Sequence, residues 1–466
     1  MYLTKNNRLF IFPIILSLIT IYLGTGIFVY TLIIVFSFYC LDKGDRFLPL
    51  SLFFILLYLL PYSLNEIVLG HNWGAYLDNN SLAAVPLYVT LPLYFRLPLN
   101  KKLRIILAIF LVAFLVSTVV PGFLSFLGIG GYKVRFAWTL NYFNSFLVGV
   151  LAYTVFTSER NIDRFTDLIM LLGIIAAIGG LLQYIFGFLF FYPSVNDRIY
   201  RLVLIPIIGP VGLFPLFIVP LAFALNQLNS SYSKQKILAF FTVFTILLAS
   251  VLTLSRWGLF VLLIMILIYL IKSRKPLKLI AFVTIGIIAY TLMPWEMFLQ
   301  KNFGDEMDRL SSMTSLLSRV TLWGMGLSLL SDFWLFGVGV GNTVKHVFSY
   351  SPTPILNDFY QLRFDFETKQ SIHQFFLDWF INQGILAMLG LACLYYYIIK
   401  QFRYTEKYFN NDVIVKRFSR SIILSLIGLT LFWMQNSGSN YYFLFFLLGS
   451  SFAIRKFVPI THWKTA

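Results

Sequence analysis

Residues 237–272 read ILAFFTVFTILLASVLTLSRWGLFVLLIMILIYLIK, and Arg256 is the one charge in the stretch before its closing Lys272. Two apolar runs, 237–254 and 257–272, flank that arginine. Each is close to the ~17–25 residues that cross ~30 Å of hydrocarbon as a helix. Working outward, comparable runs recur at 9–23, 26–41, 48–65, 81–99, 103–121, 137–157, 165–192, 205–226, 277–294, 374–399, 421–435 and 442–456. The chain is 59% hydrophobic and 12% charged, with a mean hydropathy of +0.81. Soluble domains carry about a quarter charged residues, so that class is excluded. The expected fold is all-α: a polytopic transmembrane helical bundle of about 14 helices with one large helical extracytoplasmic loop.

The net charge of +17 raises the question of nucleic acid, and the placement of the charges answers it. With the N-terminus in the cytoplasm, 25 of the 36 Lys and Arg residues fall on the cytoplasmic side and the other 11 outside. This is the asymmetry that orients membrane proteins. The basic balance therefore reads as topology and contact with membrane lipids, with no nucleic-acid partner. Both termini are expected in the cytoplasm. Residues 1–8 form a short basic lead into the first span without a small-residue cleavage site. Cys40 and Cys393 fall within expected helices, outside any CxxC spacing, and read as packing residues.

Three regions follow: helices over 1–294, a large outer loop over 295–373, and helices with a basic cytoplasmic tail over 374–466. Residues 400–420 read as an amphipathic cytoplasmic connector. Within the loop the spacing predicts a helix over 315–333, capped by Ser315, with Leu316, Val320, Trp323 and Leu327 as its apolar stripe and Arg319 in its first turns. Gly337, Gly339 and Gly341 then break regular structure. The loop holds two of the four histidines, His346 and His373.

Four constellations carry candidate chemistry. Arg256 either snorkels to the interface or presents a fork able to grip a phosphate at the outer boundary. The run FGVGVGN at 336–342 lacks the GxGxxG spacing of a dinucleotide site; it is a helix terminator or a tight turn where a ligand approaches closely. His373 stands at the mouth of an outer helix along which Gln374, Asp378 and Asn382 recur every four residues, a polar stripe facing a wet cleft or a partner. Arg198 and Arg201, in an outer loop, are a solvated surface or added positive charge above that cleft. No HExxH, clustered His/Cys or Walker lysine is present in the sequence, so no metal or other cofactor is implied.

Taken in order, TLSRWG, SRVTLW, FGVGVGN and HQFFLDWFINQG resemble the O-antigen ligase/polymerase superfamily over about residues 253–387. The resemblance implies a GT-C-like bundle and inverting glycan transfer from a polyprenyl-pyrophosphate-linked donor to a glycan acceptor on the outer face. Its functional residues would fall on Arg256, Arg319 and His373. Gln374 stands where the family commonly has Asn, and Ala387 replaces the second glycine of a closing GxxG. Polymerisation of polysaccharide repeat units is the expected reaction, alongside a chain-length regulator and a flippase. Ligation of a finished glycan to a lipid or protein shares donor and chemistry, while a polytopic transporter is the competing class. Arg198, Arg201, Gln374, Asp378 and His346 are the expected substrate-binding residues, with His346 also the alternative base.

Overall fold

A backbone surrounded by hydrocarbon must satisfy its own N–H and C=O groups, and an apolar run does so by forming a helix. The computed structural model describes residues 33, 35–40, 46–59, 83–93, 99–126, 136–186, 214–253, 255–273, 306–339, 343, 346, 374–409, 413–435, 441–454 and 457. Among them every regular element is helical. These are α1 (Phe47–Leu59), α2 (Val85–Val89), a 3₁₀ turn (Leu91–Leu93), α3 (Lys101–Phe126), α4 (Phe136–Val155), α5 (Glu159–Phe186) and α6 (Phe214–Gln227). There follow α7 (Ser233–Leu252), α8 (Arg256–Ser273), α9 (Glu306–Phe333), α10 (Phe375–Tyr408), α11 (Val413–Trp433) and α12 (Tyr441–Ile454).

Among the described residues, three helices are long and apolar enough to cross a membrane: Glu159–Leu182, Ser233–Leu252 and Phe375–Tyr408. Five shorter apolar helices accompany them. The spans expected at 9–23 and 277–294 lie outside the described residues. The expected connector over 400–420 needs correction, because Lys400 to Tyr408 continue α10 and α11 already begins at Val413. Good helix formers and the Arg420–Glu406 ion pair carry the helical pattern through this stretch.

Two features make the bundle membrane-compatible. Large apolar side chains stand exposed at helical spacing, as Phe240, Phe244 and Leu248 do on α7 and Phe260, Leu263, Leu267 and Ile271 on α8. Such stripes suit hydrocarbon and not water. Hydroxyls inside the helices donate back to their own carbonyls, as Thr242 does to Leu238 at 2.8 Å and Ser250 to Ile246 at 2.6 Å. The interior is aromatic, with Phe54, Phe165 and Phe446 in mutual contact at 5.0–5.3 Å between ring centroids. α4 and α12 approach closely enough that a Cβ on Gly449 would lie 1.9 Å from the Gly149 carbonyl oxygen. Small residues permit this kind of backbone contact between membrane helices.

α8, α10 and α11 set the two ends of the bundle. Lys272, Glu406 and Arg420 meet at one end. At the other, the start of α8 and the start of α10 both reach the last turn of α11. A straight α10 would separate Phe375 from Glu406 by ~47 Å, whereas their contacts on α11, Trp433 and Arg420, are only ~20 Å apart at 1.5 Å per residue. The helix cannot be straight, and its break lies at Gly384.

Candidate active site

The turn between α7 and α8 sets Arg256. Thr253 closes α7 by donating its N–H to Ala249, and the Ser255 hydroxyl accepts the Gly258 N–H at 3.4 Å, so Arg256 occupies the first position of α8. Gly258 lies flat against the Phe214 ring, where a Cβ would come within 2.2 Å. Trp257 donates its Nε1 hydrogen to the Leu431 carbonyl of α11 at 3.0 Å. TLSRWG is thus a helical hairpin turn tied to α6 and α11.

Arg319 is carried by α9, which begins at Glu306, nine residues before the expected start at Ser315. Ser315 is therefore not a cap, and Arg319 stands mid-helix and not in the first turns. Of the expected stripe, Trp323 does pack against the buried cluster, Leu316 has its side chain outside the described residues, and the other two are corrected. Val320 and Leu327 are exposed at 51% and 62%, while Leu322, Met325 and Leu329 are buried against Val338 and Ile381. Apolar residues lie on several faces of this helix, and docking on α10 selects which face is covered. Arg319 is half-buried and donates from Nη1 to the Gln435 side-chain oxygen at 3.3 Å. Burial pushes its guanidinium below the ordinary value, but an arginine stays charged at neutral pH.

The last turn of α11 is where three motifs meet. Leu431 receives Trp257, the neighbour of Arg256; Trp433 stacks on Phe375, two residues after His373, at 4.4 Å; and Gln435 holds Arg319. Motifs spread along the chain from Trp257 to Phe375 converge on residues 431–435, the end of α11 and the two residues after it.

The glycine run explains how the fourth motif joins them. Gly384 interrupts α10 with φ 71° and ψ −169°, which takes Ile385 N–H and the carbonyls of Ile381 and Asn382 out of the helical ladder. Buried backbone groups need partners. The residues after α9 supply them: Val338 N–H donates to Ile381 at 2.8 Å, Gly339 N–H to Asn382 at 2.9 Å, and Trp334 accepts from Ile385 at 2.8 Å. This approach requires glycine on both sides. A Cβ on Gly337 (φ 75°) would lie 2.5 Å from the Asn382 carbonyl, and one on Gly384 would lie 2.2 Å from the Leu335 oxygen. Residues 334–339, which include the described part of FGVGVGN, are the splint for a broken helix.

Residues 241–392 match the family model described as O-antigen ligase. The match supports the O-antigen ligase/polymerase superfamily. No curated protein matches the chain. The match spans 152 of the 466 residues, and this likeness points to glycan transfer in polysaccharide biosynthesis. The matched segment opens within α7 and closes within α10, so it contains Arg256, Arg319, the splint and His373, but not α11.

The remaining expected residues divide as follows. Gln374 is the N-cap of α10, its side-chain oxygen accepting from Leu377 N–H. Asp378 and Asn382 are buried at 6% and 3% exposure, so these two members of the polar stripe are enclosed by protein and do not face an open cleft, while Gln374 at its top is half-buried. Asn382 donates to the Asp378 carbonyl at 2.8 Å and accepts from the Thr343 hydroxyl at 2.7 Å, a fourth tie between the residues after α9 and the helix. His346 lies by Phe333, with ring centroids 5.7 Å apart, at the far end of α9. About 21 Å of helix at 1.5 Å per residue separates Phe333 from Arg319, so His346 is not gathered with the arginine. His373, Arg198 and Arg201 lie outside the described residues, as does the side chain of Arg256. The sequence reading missed Gln435, Trp433 and Thr343. A glutamine and a tryptophan closing the apolar run 421–435 were the available signal for two of them.

Proposed function

We propose that this protein is an inverting, metal-independent glycan transferase that polymerises polysaccharide repeat units from a polyprenyl-pyrophosphate donor on the outer face of the inner membrane. The observation that carries the reading is the convergence of the Arg256, Arg319 and His373 motifs on the last turn of α11. In this reaction an acceptor hydroxyl attacks the anomeric carbon as the bond to the pyrophosphate oxygen breaks. His373 takes the hydroxyl proton as a general base. Arg256 and Arg319 face the charge that grows on the departing pyrophosphate, and a half-buried guanidinium acts there in a medium less screening than water. Activation resides in the donor, so no nucleotide is required. Arg198 and Arg201 add positive charge above the site, and Gln374 and Asp378 hold the mouth of α10 in place. The loop 295–373 supplies the chemistry and the helices over 1–294 and 374–466 the frame. The chain works with a flippase that delivers the donor and a chain-length regulator.

Transfer of a finished glycan to a lipid or protein acceptor is the second reading, favoured by the match to the O-antigen ligase family. The test is reconstitution of the purified protein in liposomes with a polyprenyl-pyrophosphate-linked repeat unit, without nucleotide or divalent cation. A ladder of elongated glycans supports polymerisation. Transfer only when a separate lipid acceptor is added replaces it with ligation, and absence of both rejects the proposal.

A further inference from the structure

The end of the bundle opposite the candidate site holds a second charged cluster. Glu406, near the end of α10, accepts a two-pronged contact from Arg420 of α11, Nε to Oε1 at 2.6 Å and Nη2 to Oε2 at 2.8 Å. Lys272, in the last turn of α8, and Lys416 of α11 each place an ammonium 3.9 Å from the same carboxylate. Three cations from two helices thus share one anion on a third. The Arg420 fork occupies both carboxylate oxygens at hydrogen-bond distance, while the two lysines stand at Coulombic range beyond it. The group keeps a surplus of two positive charges at a site held by three helices.

Its surroundings are those of a headgroup layer. Lys272 lies over the Phe402 ring at 4.7 Å, Lys400 over Tyr396 at 5.8 Å and Lys407 over Tyr408 at 4.9 Å. Amphipathic rings beside lysines mark the depth at which a helix leaves hydrocarbon. Lys272 remains 47% exposed, so the charge is presented and not sealed. Basic pockets between membrane helices suit anionic lipid headgroups.

We infer that Lys272, Lys416 and Arg420, braced by Glu406, form a binding site for the phosphate of an anionic phospholipid in the leaflet facing away from the candidate active site. The phosphodiester supplies the negative charge that the single carboxylate lacks, and its acyl chains lie along the exposed apolar stripe of α8 that ends at Ile271.

Native mass spectrometry of the full-length protein in detergent, titrated with phosphatidylglycerol or phosphatidylcholine, tests the site. Wild type should retain phosphatidylglycerol preferentially. Lys272→Ala/Lys416→Ala should lower that retention by about tenfold or more, since a lysine at a membrane surface contributes about fivefold to anionic lipid binding. Lys272→Arg/Lys416→Arg should keep it. Lys234→Ala/Lys236→Ala, which removes two exposed lysines from the first turn of α7, should leave it unchanged. Should the double alanine variant fail to purify, Lys272→Gln alone carries the test with the same expected direction. Equal retention of the two lipids by wild type would overturn the inference. So would an equal loss in the α7 control, which marks a diffuse basic surface, or displacement by inorganic phosphate at constant ionic strength, which marks a soluble ligand.

Discussion

Gly384→Ala separates a broken, splinted helix from a continuous one, because the two give opposite signs. In an ordinary helix interior the change stabilises by about 0.8–1.0 kcal/mol. Here Gly384 holds φ 71° and ψ −169°, and an added Cβ would meet the Leu335 oxygen at 2.2 Å and its carbon at 2.6 Å. That backbone region is essentially reserved for glycine and costs other residues about 1–3 kcal/mol. Relief of the clash drives the splint away from α10 and breaks its three backbone hydrogen bonds, each worth about 0.5–1.5 kcal/mol net. The expected destabilisation is ~3–6 kcal/mol, a large part of the ~5–15 kcal/mol typical of folded proteins. For a chain of 466 residues it corresponds to a midpoint lowered by about 3–6 °C. Thermal unfolding in detergent can be followed with a thiol-reactive dye, since Cys40 is buried and Cys393 half-buried. Glycan transfer should fall in parallel. A midpoint unchanged or raised would mean that α10 runs unbroken through Gly384 and that the splint is wrong.

Three further outcomes follow from the same geometry. Gln435→Ala should lower transfer about tenfold while leaving membrane abundance intact, since a hydrogen bond to a charged donor is worth ~1.5–3 kcal/mol; an unaltered rate would show that Arg319 needs no such guide. His373→Gln keeps hydrogen bonding but not basicity and should cost ~10²–10⁴-fold, whereas His346→Gln should stay near wild type, and the reverse pattern would exchange their roles. Reporter fusions at Lys407 and Asn357 should give opposite signals, with the first cytoplasmic; matching signals would undo the orientation drawn from the Lys and Arg distribution.

The helical membrane class was legible because it rests on composition and run length, properties that tertiary contacts do not alter. Arg256, Arg319 and His373 were legible as motifs, yet their meeting place was not. α11 is outside the family segment, and only packing shows that Leu431, Trp433 and Gln435 receive all three motifs. The stripe on α9 was misjudged for a related reason. Apolar residues lie on several of its faces, and the choice between Val320 with Leu327 and Leu322 with Met325 is made by the docking of Val338 and Ile381. Likewise Asp378 and Asn382 read as lining a wet cleft, because periodicity identifies a shared face but not what covers it; the splint and Thr343 cover it. The glycines of 337–341 were recognised as a turn or helix terminator, while the need for Gly337 arises from a break at Gly384, over forty residues away.

The proposed mechanism stands on Arg319 stabilising the departing polyprenyl pyrophosphate. Release of polyprenyl pyrophosphate in a single turnover of the reconstituted protein measures that step directly, with Arg319→Ala and Arg319→Lys beside wild type. Loss of one preorganised donor at a developing anion costs about 10²–10³-fold, so Arg319→Ala should slow release by that factor. Arg319→Lys should also fail, since an ammonium cannot reproduce the guanidinium fork. Release by Arg319→Ala at the wild-type rate would contradict the account.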